Sequence, residues 1–178
     1  MSIFSNPISE AGAEADAYIA AVMDLAGDRD PLEILGRLPD EVERLIADLD
    51  PQRLRKPEAH GKWSILEVIQ HLADSELVWA YRLRVVLADA DPVLTGYDQD
   101  RWAAKLRYNE VDPDAAIAQI RTIREMNLRL LGSLTPEEMK RTGKHSERGQ
   151  ESVEHMLRLY AGHDLVHLQQ LSRIRNSV

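Results

Sequence analysis

Residues 157–174 read LRLYAGHDLVHLQQLSRI, and this stretch decides how the rest of the chain is read. Apolar or inward-looking residues recur at Val153, Met156, Tyr160, His163, His167, Leu171 and Ile174, in steps of three and four that keep them on one helical face. Two histidines therefore stand where a helix would bury leucines. Residues four apart on a helix lie about 6 Å apart on the same side, so both rings can converge on one metal ion. The spacing alone leaves two readings open: a ligand pair whose third donor comes from elsewhere, or a pair of hydrogen-bonded core histidines.

Upstream, three more stripes of helical period complete a bundle. Asp30 as a cap and Pro31 as an early helical residue lead into Leu32, Leu35, Leu38, Val42, Leu45, Ile46 and Leu49, with Pro39 and Asp40 predicting a break or restart. Residues 51–62, PQRLRKPEAHGK, read as a connection with little regular structure. Ser64 and Glu67 form a capping-box pattern ahead of Ile65, Val68, Ile69, Leu72, Trp79, Leu83, Val86 and Leu87. Polar Ser75 and Glu76 interrupt that stripe, and His71 lies one turn before them at its edge, so a polar pocket facing the core is expected. A third helix runs from about Asp114 to Leu131, with Ala116, Ile120, Ile123, Leu130 and Leu134 on one face, where Asn127 also falls.

The connections shape the topology. Residues 89–113 are long for a link in a small helical protein, which predicts a crossover between the second and third bundle helices. Asp98 to Lys105 reads as a short helix within it, and Tyr97 and Trp102 as lid or rim residues that pack the crossover onto the bundle. Residues 142–152, TGKHSERGQES, form a polar approach to the last helix, and no strand-like alternation of useful length occurs. The expected fold is all-α: a four-helix bundle in one domain spanning 1–178, with 1–29, including a modest helix from Ala13 to Leu25, as an N-terminal helical extension.

Composition narrows the chemistry. Hydrophobic residues make up 44% and charged residues 29% of the 178 positions, ordinary for a globular chain, and no apolar run approaches a membrane span. No membrane partner is expected. The N-terminus lacks a basic segment followed by an apolar one, so the cytoplasm is the expected location. The absence of cysteine removes disulfides, thiolate ligands and cysteine nucleophiles, so a metal would be held by nitrogen and oxygen. The net charge of -8 argues against nucleic-acid binding, because the basic residues near Arg107 to Arg129 alternate with acids as on a solvated helix face. Exposed apolar helix faces suit association into a homodimer.

The segments KWSILEVIQHLADSELVWAYRL, TGYDQDRWA and YAGHDLVHLQQLSRI resemble, in order and spacing, the DinB-like family of metal-binding four-helix proteins with its YfiT-like members. The resemblance extends from about Pro31 to Ile174. It implies that His71, His163 and His167 are the ligands of one divalent metal ion, zinc or nickel, in a bundle whose second and third helices are joined by a long crossover. It also implies a metal-dependent enzyme acting on a small-molecule substrate, either a thiol S-transferase using a low-molecular-weight thiol as cosubstrate or a hydrolase. The competing reading is a non-catalytic metal-binding stress or interaction protein. The chain departs from the YfiT-like pattern where Gln70 precedes His71, Val166 precedes His167, and Glu76 stands in place of a further histidine.

Weaker candidates surround the triad. Asp164 and Asp74 could each orient a ligand or act as a base, or be solvated helical carboxylates. His145 could line the pocket entrance or sit on an exposed loop. Gln170, three residues after His167, could contact metal-bound water. His60 and His155 look ordinary, and Asn127 is a core polar group awaiting a partner.

Overall fold

The computed structural model describes residues 11–178, with side chains from residue 17 onward. The elements in order are α1 (Ala11–Ala26), α2 (Pro31–Ile46), α3 (Pro51–Arg55), α4 (Ile65–Ala88), β1 (Val93–Leu94), α5 (Gln99–Lys105), a 3₁₀ turn at Tyr108–Glu110, α6 (Pro113–Leu131), α7 (Pro136–Met139), β2 (Thr142–His145), β3 (Gly149–Ser152) and α8 (Val153–Ser177). Residues 1–10 of the expected N-terminal extension lie outside the described residues. Among the described residues no helix is long and apolar enough to cross a membrane.

The helices α2, α4, α6 and α8 form the four-helix bundle. Side-chain pairing gives their directions. Gln119 bonds the carbonyl of Ala73, Arg124 pairs with Glu76 and Arg84 with Asn127, so α4 and α6 run parallel, as the long crossover between them requires. Arg175 reaches the Leu45 carbonyl and Asp48, while Arg158 reaches the Gly27 carbonyl, so α8 runs parallel to α2. Helix α1 docks on α8 at Gly162, where an added Cβ would lie 2.2 Å from the Val22 carbonyl oxygen. Only glycine allows that approach.

Local signals account for the helix starts. Ser64 and Glu67 close the predicted capping box, and Asp30, Asp50, Asp98 and Asp112 each accept backbone N–H bonds at an N-terminus. Three expectations need correction. Pro39 neither breaks nor restarts α2; its missing N–H leaves the Leu35 carbonyl without its helical donor, and Arg124 Nη1 supplies one at 2.7 Å. Residues 51–55 are helical because Asp50 caps a turn that opens on proline. A small sheet accompanies the helices, with β1 parallel to β2 and β2 antiparallel to β3. Its strands have two to four residues, too short for alternation to register, and Gly149 at φ +77° ends the hairpin turn.

Two apolar clusters fill the bundle. One includes Leu38, Val42, Ile65, Leu72, Ile120 and Ile174, and the other Leu35, Trp79, Leu83, Val86, Met156 and Tyr160. Between them comes a polar step on three of the bundle helices: Ser75 and Glu76 on α4, Arg124 and Asn127 on α6, His163, Asp164 and His167 on α8; α2 contributes the Leu35 carbonyl that Arg124 reaches. On α6 the inward residue is Arg124; Ile123, expected on the core face, is only half-buried.

Candidate metal centre

Antiparallel packing of α4 on α8 sets His71 opposite His163 and His167. One nitrogen from each ring lies within 4.8 Å of the others. Nε2 of His71 and Nε2 of His163 are 3.3 Å apart. Two nitrogens bound tetrahedrally to zinc at about 2.0–2.1 Å are roughly 3.3 Å from each other, so the pair already has ligand spacing. His167 Nδ1 lies 2.8 Å from Gln170 Oε1, which fixes Nδ1 as the protonated nitrogen and leaves Nε2 for the cluster.

Burial prepares the rings for a cation. His71 and His167 are 2% and 3% exposed, whereas the side chain of His163 is 16% exposed, so the cluster opens toward solvent on the His163 side. Burial first, then the neighbouring His167 and His163, holds His71 well below the ordinary imidazole range. Burial and His163 do the same to His167, against a smaller upward pull from Gln170. Imidazole nitrogens gathered about one point are a donor set for a borderline divalent ion such as zinc or nickel. The residues present fit such an ion. Trp63, with its ring centroid 5.0 Å from that of His71, and Tyr160, stacked 5.6 Å from His163, wall the cluster.

Beside the histidines lies a buried ionic node. Arg124, 1% exposed, donates from Nε to Glu76 Oε2 and from Nη1 to Asp164 Oδ2, each at 2.7 Å. Glu76 also accepts from Asn127 Nδ2 at 2.8 Å and from the Tyr160 hydroxyl at 3.1 Å. Burial disfavours the guanidinium charge, but Asp164, Tyr160 and Glu76 outweigh it and keep the group protonated. Asn127 thus finds its partner, and Glu76 belongs to this node.

The remaining candidates separate. Asp164 is fully buried, not a solvated carboxylate, and its bond to Arg124 removes it from the role of a free base. Asp74 accepts from the Tyr108 hydroxyl at 2.5 Å and from Gln70 at 3.0 Å, and so ties the 3₁₀ turn to α4. Gln170 holds the imidazole of His167. His145 is neither on an exposed loop nor among the clustered nitrogens: it is 2% exposed on β2, with Nδ1 accepting from the Glu147 N–H. Burial, then Arg148 and Arg82, pushes its pKa down to about 4. His60 is exposed and His155 half-buried.

The crossover comes closer to the cluster than a packing role requires. The Tyr97 hydroxyl lies 2.9 Å from Ser75 Oγ, which lies 3.4 Å from His71 Nε2, and Tyr97 is covered by Trp102 with ring centroids 4.3 Å apart. Burial raises the Tyr97 phenol, so it keeps its proton at neutral pH. Arg124 and Tyr18 had no sequence signal as site neighbours. An arginine between apolar residues on α6 reads as surface, and Tyr18, on which Arg148, Tyr97 and Asp164 act electrostatically, sits on a helix without a motif.

Comparison with known proteins agrees with this architecture. Residues 34–171 match the model of the DinB superfamily. A protein of Oceanobacillus iheyensis, provisionally named a metal-dependent hydrolase, is 31% identical over 77% of this chain and 79% of its own length. One of Bacillus mycoides with the same provisional name is 28% identical over 78% and 79%. The solved structure of YfiT from Bacillus subtilis, described as a probable metal-dependent hydrolase with an unusual four-helix bundle topology, superposes with a TM-score of 0.73 at 23% identity, covering 96% of this chain and 92% of that one.

Proposed function

We propose that this chain, which belongs to the DinB superfamily, is a metal-dependent hydrolase of a small molecule, with His71, His163 and His167 holding one zinc or nickel ion. The observation that carries this reading is the convergence of three ring nitrogens within 4.8 Å, two of them already at ligand spacing. The chemistry available from an ion with three protein ligands is Lewis acidity at an open position, which makes water nucleophilic near neutral pH. The protein's share is positional. Gln170 fixes the tautomer of His167, and Trp63 and Tyr160 keep bulk water from the cluster. The Tyr97 phenol, protonated and bonded to Ser75 beside His71, is placed to donate to a substrate oxygen as negative charge develops on it.

The test is turnover of an ester and amide panel by untagged, zinc- or nickel-loaded protein, with and without a low-molecular-weight thiol. Hydrolysis without thiol that is lost in His163→Ala supports the reading. Turnover that requires the thiol and yields an S-substituted product replaces it with S-transfer, in which the thiol is a cosubstrate because the chain has no cysteine. Metal occupancy with no turnover of any kind favours a binding protein. In the hydrolytic case Tyr97→Phe should lower kcat by about tenfold or more while leaving metal content unchanged.

A further inference from the structure

Resting on the reading of the three histidines as a metal centre, we propose that Asp164 orients the imidazole of His163, and that Arg124 fixes Asp164 for this task. Asp164 is a positioning residue. Its Oδ2 accepts from Arg124 Nη1 at 2.7 Å, whereas its Oδ1 is buried with no hydrogen-bond partner among the described residues. His163 Nδ1 is buried and unpartnered in the same sense, and the two atoms lie 3.9 Å apart. The other nitrogen of His163 faces His71. An imidazole that ligates through Nε2 keeps its proton on Nδ1, and that N–H needs an acceptor.

The present separation of 3.9 Å is too long for a hydrogen bond, so the His163 ring must turn toward Oδ1 when the site is loaded. Asp164 cannot swing away to avoid the contact. Arg124 is held at once by Glu76 on α4, by the Leu35 carbonyl on α2 and by Asp164 on α8, so three helices set the plane of the guanidinium. The carbonyl of Leu35 is free for this because residue 39 is proline. A sequence feature that reads as a helix breaker thereby supplies an anchor for the arginine that aims Asp164. His167 has the matching arrangement already made, through Gln170.

The test compares two isosteric variants of the untagged full chain. In Asp164→Asn the amide presents its NH₂ either to Arg124 or to His163, both donors, so it cannot serve the two together. Glu76→Gln loosens one of the three anchors of Arg124 and the bond to Tyr160, which packs on His163, but leaves the Asp164 carboxylate itself in place. Cobalt(II) affinity, measured by competition with a chromophoric chelator, should fall about 10–100-fold in Asp164→Asn, with an altered visible spectrum, and by a smaller factor, about fivefold or less, in Glu76→Gln. Equal affinities in Asp164→Asn and the parent, or equal losses in both variants, overturn the proposal. Nuclear magnetic resonance of the zinc-loaded parent needs no variant to fold: a His163 Nδ1 proton shifted downfield and protected from exchange supports the proposal, and a rapidly exchanging one overturns it. A parent chain that binds no cobalt removes the metal centre and this proposal together. Parent binding matched by Asp164→Asn removes this proposal alone.

Discussion

Two polar inclusions share one layer of the same apolar bundle, and they differ in how far the protein completes them. In the node around Arg124, Glu76 accepts from Arg124, Asn127 and Tyr160, and Arg124 also reaches Asp164 and a backbone carbonyl. In the histidine cluster, His71 and His163 each keep a buried Nδ1 without a partner, and Nε2 atoms face each other at 3.3 Å. A network whose charges the protein pairs with one another is architecture, even with Asp164 Oδ1 left without a donor. One that turns lone pairs toward a shared point is a site for something the chain does not itself provide.

The comparison can be broken first at the node. Arg124→Met leaves Glu76 and Asp164 buried without their cation and should cost about 3–5 kcal/mol of stability in denaturant unfolding of the metal-free protein. A loss below about 1 kcal/mol would mean that the node does not hold the bundle together. A third inclusion, His145, sharpens the contrast because it titrates without belonging to either group. Its folded pKa of about 4 lies below the ordinary value of 6.5, so the unfolded chain takes up the proton first and stability falls as pH drops through that window. From pH 7 to pH 5 the contribution is about 2 kcal/mol, and His145→Asn should remove that part of the acid sensitivity. An unchanged pH profile in the variant would contradict it. The smallest expected effect is at Gln170→Leu, which should weaken metal binding about tenfold in a chelator competition and leave metal-free stability within about 1 kcal/mol. Unaltered metal affinity would show that the contact to His167 is incidental.

How much of this was legible depended on whether the signal was local. The bundle, the capping box at Ser64 and Glu67, and the crossover length are written in periodicity and spacing. So was the inward direction of His163 and His167, because neighbouring positions on one helix fix it. The identity of His71 as the third member required pairing α4 against α8, which periodicity does not supply; the resemblance did. Arg124 was illegible because an arginine inside a core is explained only by carboxylates 48 and 40 residues away in sequence. Pro39 misled for a related reason, since the donor that repairs its gap comes from α6. The hairpin from Thr142 to Ser152 escaped notice because its strands have four residues each.

The central claim is that three histidines from two helices hold one metal ion. Elemental analysis of untagged protein, incubated with zinc or nickel and dialysed, tests it most directly. The account predicts one ion per chain in the parent and none in His71→Ala or His163→Ala with the helical fold retained. A parent chain that retains no ion, or a variant lacking all three histidines that retains as much as the parent, would contradict it.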